Sequence, residues 1–235
     1  MAFPSTQTEA YSLLVLSGGV GQRSAHHEPK QFFELNGHPL IAYTLIAAMK
    51  CDAITEIVVN APAGFEERTA AILSAYCATK PHRIIAPGKT RQESCRLLAE
   101  AATNSHVIVH EAARPFISGD TFARLIDEPE ANCGYFFPIA FSICKVSPVT
   151  QLVVHGVPRE EVFNVMLPQK FQRATLVAAH EKAAAMGKTF TEDAVMCVEL
   201  LGTRFKALEG EARNLKITTG EDFLIAEQLG RRFSE

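Results

Sequence analysis

The sequence predicts an α/β fold, a mostly parallel sheet with helices on both of its faces. Short apolar runs alternate with helical spacings from Leu13 to His110, the pattern of strand–helix units feeding a parallel sheet. Glycine and proline mark the ends of those runs, at Ser17-Gly18-Gly19 and at Pro87-Gly88, where such a sheet presents its carboxyl edge. A chain of 235 residues, 47% hydrophobic and 21% charged, can close one sizeable core, so a single domain over residues 1–235 is expected.

Residues 13–16 are an unbroken apolar run, short enough to be a strand buried on both faces. Ser17, Gly18, Gly19 and Gly21 then remove side-chain bulk, so backbone N–H groups can close on an anion such as a phosphate. Arg23 and Lys30 are two cations able to reach the same phosphates, with Pro29 fixing the chain before Lys30. The stretch reads as a triphosphate cradle. Two other glycine-loop chemistries fail on their own requirements. A dinucleotide fingerprint needs a third glycine where Ser24 stands, and an acidic residue where the next strand ends in Asn60. A Walker loop ending in Gly88-Lys89-Thr90 needs a glycine where Arg83 stands.

A helix should begin near Pro39, with Leu40, Tyr43 and Ala47 at helical spacing, and a strand should follow over Ile54–Asn60. Residues 64–76 carry Phe65, Ile72 and Tyr76 on one helical face. Residues 83–86 suit a short strand, 91–102 a helix and 106–110 a fourth strand, which brings the segments around Gly18, Gly88 and Glu111 to strand ends. After Thr121 the pattern changes. Cys133–Pro138 is an apolar strand, and Ile143–Val146 with 151–155 around Ser147-Pro148-Val149-Thr150 predicts a hairpin, a β-arm at about 140–160. Apolar edges on such an arm need cover, and a homodimer supplies it. A strand at 164–167 ended by Pro168-Gln169, helices over 173–186 and 193–201, and short strands at 204–208 and 215–218 follow. Thr219-Gly220-Glu221-Asp222 is a capping box for a last helix whose Ala226 and Leu229 pack inward.

A formal net charge of −3 with no long basic block argues against a nucleic-acid polymer as partner. No apolar run approaches a membrane span, and MAFPSTQTEA has neither a basic nor an apolar leader region, so no membrane partner and a cytoplasmic location are expected. The six cysteines (Cys51, Cys77, Cys95, Cys133, Cys144 and Cys197) show no CxxC pair and no Cys/His metal spacing, which predicts reduced thiols. His26-His27 reads as solvated, and His106 with His110 lacks a third ligand.

Six motifs in order carry a family resemblance. Ser17 to Arg23 with Pro29-Lys30-Gln31 is similar to A-A-G-x-G-x-R followed by P-K-Q, and Gly88-Lys89-Thr90-Arg91-Gln92-Glu93-Ser94 to G-x-x-R-x-x-S. Val109-His110-Glu111-Ala112-Ala113-Arg114-Pro115 resembles V-H-D-A-A-R-P, and Leu167-Pro168-Gln169-Lys170-Phe171 resembles T-P-Q-x-F. Thr191-Glu192-Asp193-Ala194 looks like T-D-D-A, and Asn214-Leu215-Lys216-Ile217-Thr218 like N-I-K-I-T. Together they resemble the 2-C-methyl-D-erythritol 4-phosphate cytidylyltransferases of isoprenoid precursor synthesis, over about residues 13–230.

The resemblance implies a Rossmann-like sheet of the nucleotide-diphospho-sugar transferase type, with the hairpin as a dimerisation arm. It implies a Mg²⁺-dependent reaction of CTP with a polyol phosphate, giving a CDP-alcohol and pyrophosphate. Arg23, Lys30 and Lys216 would be catalytic. Ser17, Gly18, Gly19, Gly21, Gly88, Lys89, Arg91, Ser94 and Ala112 would bind the nucleotide. Glu111, Arg114, Thr191 and Arg159 from a neighbouring subunit would bind the acceptor, with Glu111 also holding the metal. Departures from the pattern gather on the acceptor side. Glu111 replaces aspartate, Leu167 replaces threonine, Phe141-Ser142 replaces D-T and Val162-Phe163 replaces a Leu-Trp pair. Nucleotidyl transfer therefore has more residues behind it than methylerythritol phosphate has. Ribitol 5-phosphate or a phosphonate is an alternative acceptor, and a nucleotide-binding protein without catalysis is the alternative of another class.

Overall fold

The computed structural model describes residues 9–19 and 28–231. Strand β1 (Tyr11–Leu16) is buried along its length, and its alternation divides the molecule. Leu13 and Val15 enter one hydrophobic core while Leu14 enters another. An unbroken apolar run is what a central strand covered on both faces requires.

After β1 the chain makes a 3₁₀ turn at Lys30–Phe32 and a tiny hairpin, β2 (Glu34–Leu35) and β3 (His38–Pro39). Asn36 and Gly37 form its turn with φ of 50° and 81°, the left-handed geometry that an Asn-Gly pair accepts. Helix α1 (Leu40–Met49), strand β4 (Ile54–Asn60), helix α2 (Glu66–Tyr76), strand β5 (His82–Ile85), helix α3 (Arg91–Ala101) and strand β6 (His106–Glu111) follow. Helix α4 (Gly119–Asp127) leads into β7 (Cys133–Pro138), the pair β8 (Ile143–Val146) and β9 (Val153–Val157), and β10 (Phe163–Gln172). Helices α5 (Arg173–Ala185) and α6 (Asp193–Leu201), strand β11 (Lys206–Glu209) and helix α7 (Gly220–Arg231) complete the described chain.

Seven strands form one sheet in the order β11-β7-β10-β6-β1-β4-β5. β1 runs parallel to β4 and β6, β4 to β5 and β7 to β11, while β10 is antiparallel to both its neighbours. Helices α1, α2 and α4 contribute to the core on one face, and α3, α5 and α6 to the core on the other. β8 and β9 pair apart from this sheet, antiparallel, as the hairpin reading expected.

Three expectations need correction. The strand expected to stop at Leu167 continues through Pro168 to Gln169 and beyond. The register against β7 shifts between Val165 and Gln169, so the missing N–H of Pro168 falls where the ladder is already interrupted. Helix α4 was not foreseen, although Ser118 caps it by accepting from Thr121 N, and Phe122 and Leu125 bury its apolar face. Residues 215–218 form no strand; Ile217 N donates to Ala113 O at 2.8 Å and holds this segment against the end of β6. The last helix has its capping box. Asp222 Oδ2 accepts from Thr219 N at 2.8 Å while Asp222 N donates to Thr219 Oγ1 at 3.2 Å.

Two polar groups inside this frame, one half-buried and one fully buried, have measurable consequences. Lys80 Nζ donates to Ala48 O, Cys51 O and Ile54 O at 2.9, 2.6 and 2.6 Å, tying together the end of α1, the turn after it and the start of β4. Lys80→Met keeps the stem and removes the three donors. Urea unfolding should show a loss of about 1–3 kcal/mol, and an unshifted midpoint would refute this role.

His110, fully buried on β6, donates from Nε2 to Arg114 O at 3.1 Å, and burial pushes its pKa down to about 4. An unfolded histidine takes up its proton near pH 6.5. Between those values the unfolded chain binds more protons than the folded one. Stability therefore falls as pH drops through this window, by on the order of 3 kcal/mol for this group. His110→Gln should flatten the pH dependence of the unfolding free energy between pH 6.5 and 4, and an unchanged slope would remove His110 as its cause.

Candidate active site

The chain leaves β1 for β4 and β5 on one side and then crosses to β6 on the other. This reversal opens a crevice at the carboxyl ends of β1 and β6. Ser17-Gly18-Gly19 follows β1, Ala86 to Lys89 follows β5, and Glu111 ends β6. Ala112 N donates to Leu16 O at 3.1 Å and joins two of these ends.

Close approach explains two glycines. A Cβ on Gly18 would lie 2.4 Å from Pro87 Cβ and 3.2 Å from Asn60 Cβ, and one on Gly88 would lie 2.4 Å from Glu93 Cγ. Gly88 is drawn onto the start of α3 by Ser94, whose Oγ accepts from Gly88 N at 3.0 Å and donates to Thr90 O at 2.9 Å. Glu93 accepts from Lys89 N at 2.7 Å, and Thr90 Oγ1 accepts from Glu93 N at 3.1 Å. Gly88, Lys89 and Ser94, which the sequence reading placed in one motif, thus form one cap. Ser17 Oγ is buried without a hydrogen-bond partner among the described residues, so its hydroxyl is available to a ligand.

Sequence reasoning did not single out Gln31. Its Nε2 donates to Ser17 O at 2.6 Å and to Gly19 O at 3.1 Å, tying the glycine loop to the turn that carries Lys30. Lys30 Nζ donates to Ile217 O at 2.8 Å, next to Lys216. The signal is in the Pro-Lys-Gln motif itself, where the amide stands beside the cation.

Glu111 is the centre of a charged cluster. Lys216 Nζ stands 2.8 Å from its Oε2, Arg91 Nε 3.3 Å from its Oε1 and Arg114 Nε 3.8 Å from its Oε2. Burial would raise the Glu111 pKa, but Lys216, Arg91 and Arg114 together hold it below the usual carboxylate value. Arg91 also donates to Asp193 Oδ2 at 2.9 Å and lies 3.9 Å from Glu192. Burial opposes the Arg91 charge, yet Asp193, Glu192 and Glu111 overrule it and raise its pKa. Glu192 itself is raised by burial, whereas Asp193 is held low against burial by Arg91 and His180. Arg114 Nη1 donates to Asn214 O at 2.9 Å, and Asn214 Nδ2 donates to Leu167 O at 2.6 Å. Asn214 is a second residue that the sequence reading quoted without giving it a task.

Glu111 and Arg114 at the end of β6, Arg91 on α3 and Lys216 after β11 are therefore brought together from three segments. Arg91, assigned to the nucleotide from sequence, has its guanidinium among three carboxylates. Thr191 is exposed just before Glu192, and a Cβ on Gly19 would meet nothing among the described residues. Arg159 lies in an exposed 3₁₀ turn (Arg159–Glu161) beyond β9, 3.8 Å from Glu160. Gly21 and Arg23 lie outside the described residues. Among the described residues no helix is long and apolar enough to cross a membrane.

Comparison with known proteins places the sequence and the fold. The sequence model of 2-C-methyl-D-erythritol 4-phosphate cytidylyltransferase matches residues 12–232. The chain is 32% identical over 222 residues to the protein of that name from Halalkalibacterium halodurans, covering 93% of this chain and 96% of the relative. The crystal structure of the protein of that name from Thermus thermophilus superposes with a TM-score of 0.76 at 30% identity, covering 95% of this chain and 99% of that one. A likeness of fold alone, at 23% identity and TM-score 0.84, extends to 4-diphosphocytidyl-2C-methyl-D-erythritol synthase from Anaerococcus prevotii, covering 96% of this chain and 100% of that one. With the match running through both glycine loops and every segment that meets at Glu111, the chain belongs to the 2-C-methyl-D-erythritol 4-phosphate cytidylyltransferase family.

Proposed function

We propose that this chain transfers a cytidylyl group from CTP to 2-C-methyl-D-erythritol 4-phosphate, forming CDP-methylerythritol and pyrophosphate. The observation that carries this reading is the meeting of Glu111, Lys216, Arg91 and Arg114 beside two glycine loops at the sheet's switch point. An acceptor phosphate oxygen attacks the α-phosphorus in line as pyrophosphate leaves, so the protein supplies positioning and charge neutralisation. Lys216, 39% exposed, turns from Glu111 to the α-phosphate as charge builds there. Lys30 and Arg23 hold the leaving pyrophosphate, and the amides of Gly19 and Gly21 support the triphosphate. The backbones of Ser17, Gly18, Gly88 and Lys89, with Ser94 and Ala112 close by, read the cytosine edge. Arg91 acts here by orienting Glu111.

Arg114 and Thr191 take the acceptor, completed by Arg159 from a second copy. The exposed Phe141, Val149, Leu152, Val153 and Val154 on and around β8 and β9 support an arm that packs on a partner. Mg²⁺ fits Glu111. A hard carboxylate at a phosphate site is the usual protein share of a Mg²⁺ shell, and its Oε2, though near Lys216, receives no aligned hydrogen bond among the described residues. When bound, that ion neutralises phosphate charge. Leu167, where the family has threonine, is buried in the second core, so this change alone does not point to another alcohol.

Incubation with CTP, Mg²⁺ and either methylerythritol phosphate or ribitol phosphate, following pyrophosphate, tests the assignment. Release with ribitol phosphate alone would reassign the acceptor, and CTP binding without turnover would leave a binding protein. Lys216→Ala should lower kcat by about 10²–10³-fold, and an unaltered kcat would remove Lys216 from the transition state. For the shared site, coexpressed Arg159→Ala and Lys216→Ala chains should recover about one quarter of wild-type activity through mixed dimers, although each alone is impaired. Absence of recovery in dimers verified as mixed would place Arg159 in its own subunit's site or outside any site.

A further inference from the structure

Outside the crevice, three chemically matched side chains meet in the second core. Cys95 comes from α3, His180 from α5 and Asp193 from the first turn of α6, and all three are buried. Their ligand atoms lie within 4.8 Å of one another. In a tetrahedral zinc site, bond lengths of 2.0–2.3 Å place ligand atoms about 3.4–3.6 Å apart, so the trio needs to close by about 1 Å.

The imidazole is the unsatisfied member. His180 Nε2 stands 3.3 Å from Asp193 Oδ1 but is misaligned for a hydrogen bond, and neither ring nitrogen has a hydrogen-bond partner. His180 is 1% exposed, and the Asp193 carboxylate at ion-pair distance leaves both of its nitrogens without a hydrogen bond among the described residues, so the ring can take a further ligand. Beside it, a cavity of about 430 Å³ runs between the start of α3 and α5, lined by Thr90, Glu93, Arg96, His180 and Thr189. It provides an entry path and room for a water.

From these contacts we infer that Cys95, His180 and Asp193 form a buried site for a divalent transition cation of the zinc class, its fourth position filled by water from the cavity. A sulfur, an imidazole and a single carboxylate suit such an ion and not Mg²⁺ or Ca²⁺, which take oxygen shells. The charges close as well. A thiolate and a carboxylate neutralise a divalent cation, and the Cys95 proton leaves to solvent as the Sγ–metal bond forms. Burial, with Asp193 adding to it, keeps that thiol protonated until the metal arrives. Arg91 bonds the other oxygen of Asp193 at 2.9 Å and fixes the carboxylate's orientation, as outer partners of metal ligands do. This site shares Arg91 with the Glu111 cluster, but it rests on its own donors and not on the proposed reaction.

The full chain, stripped with chelator and titrated with Co²⁺, should bind one equivalent. The complex should show a sulfur-to-cobalt charge-transfer band and the intense visible bands of tetrahedral cobalt, and Zn²⁺ should displace it. Cys95→Ser should abolish the charge-transfer band, His180→Gln should weaken binding at least about tenfold, and Cys144→Ser, at the exposed cysteine, should leave both unchanged. X-ray absorption of the Zn²⁺-loaded wild type needs no variant and should give one sulfur and three nitrogen or oxygen ligands. A first shell without sulfur, or a charge-transfer band that survives Cys95→Ser, would overturn the inference.

Discussion

A carboxylate buried at the mouth of a parallel sheet is tolerable only when cations surround it, because desolvating a lone charge costs several kcal/mol. Glu111 is such a carboxylate, and satisfying it organises the molecule. Arg91 brings the start of α3, Lys216 and Arg114 bring the segment after β11, and through Asp193 the cluster also fastens the start of α6. Elements that are strangers in sequence converge there because each brings a cation to the same buried carboxylate. Arg91 is the pivot. Its planar fork engages Glu111 and Asp193 at once, a task for which a lysine's point charge has no geometry.

The glycine loops depend on a different constraint, that of space. Gly18 lies where the ends of β1, β4 and β5 crowd together, and Gly88 lies against the first turn of α3. With side chains absent from both, backbone polar groups line the crevice where a base or phosphate could approach closely. Gln31 adds the complementary restraint. By taking the carbonyls of Ser17 and Gly19 it keeps the loop against the turn bearing Lys30. Shape and charge are thus fixed by separate sets of residues, which lets the charged groups turn toward a ligand without loosening the loop.

The sheet was legible where one residue type repeats along one strand. The apolar run of β1 announced burial on both faces, and Thr219 with Asp222 announced the last helix. Pro168 misled because its effect depends on a register shift that no local pattern records. Helix α4 was legible in principle, from Ser118 as cap and Phe122 and Leu125 on one face, but it sits where helical spacing gives way to strands. In the site, motifs disclosed Glu111, Lys216 and Arg114, whereas Gln31 and Asn214 act through backbone carbonyls, which leave no mark in a sequence. Cys95, His180 and Asp193 lie on three helices, so no ligand spacing connects them, and the expectation of cysteines without a metal partner rested on that missing spacing.

The arrangement around Glu111 also bears on the change from aspartate. The proposed reaction asks Lys216 to leave Glu111 for a phosphate, which would strip a buried carboxylate of its nearest cation. Arg91 cannot follow, because Asp193 and Glu192 hold its other nitrogens, and Arg114 is tied to Asn214. The charge that Lys216 vacates must therefore be met by something arriving with the triphosphate. Mg²⁺, if held by Glu111, would supply that positive charge, and the extra methylene of glutamate would give the carboxylate reach toward it while Arg91 stays in place. On this argument the longer side chain is compatible with catalysis, since reach is what a carboxylate needs when its anchoring cations cannot move.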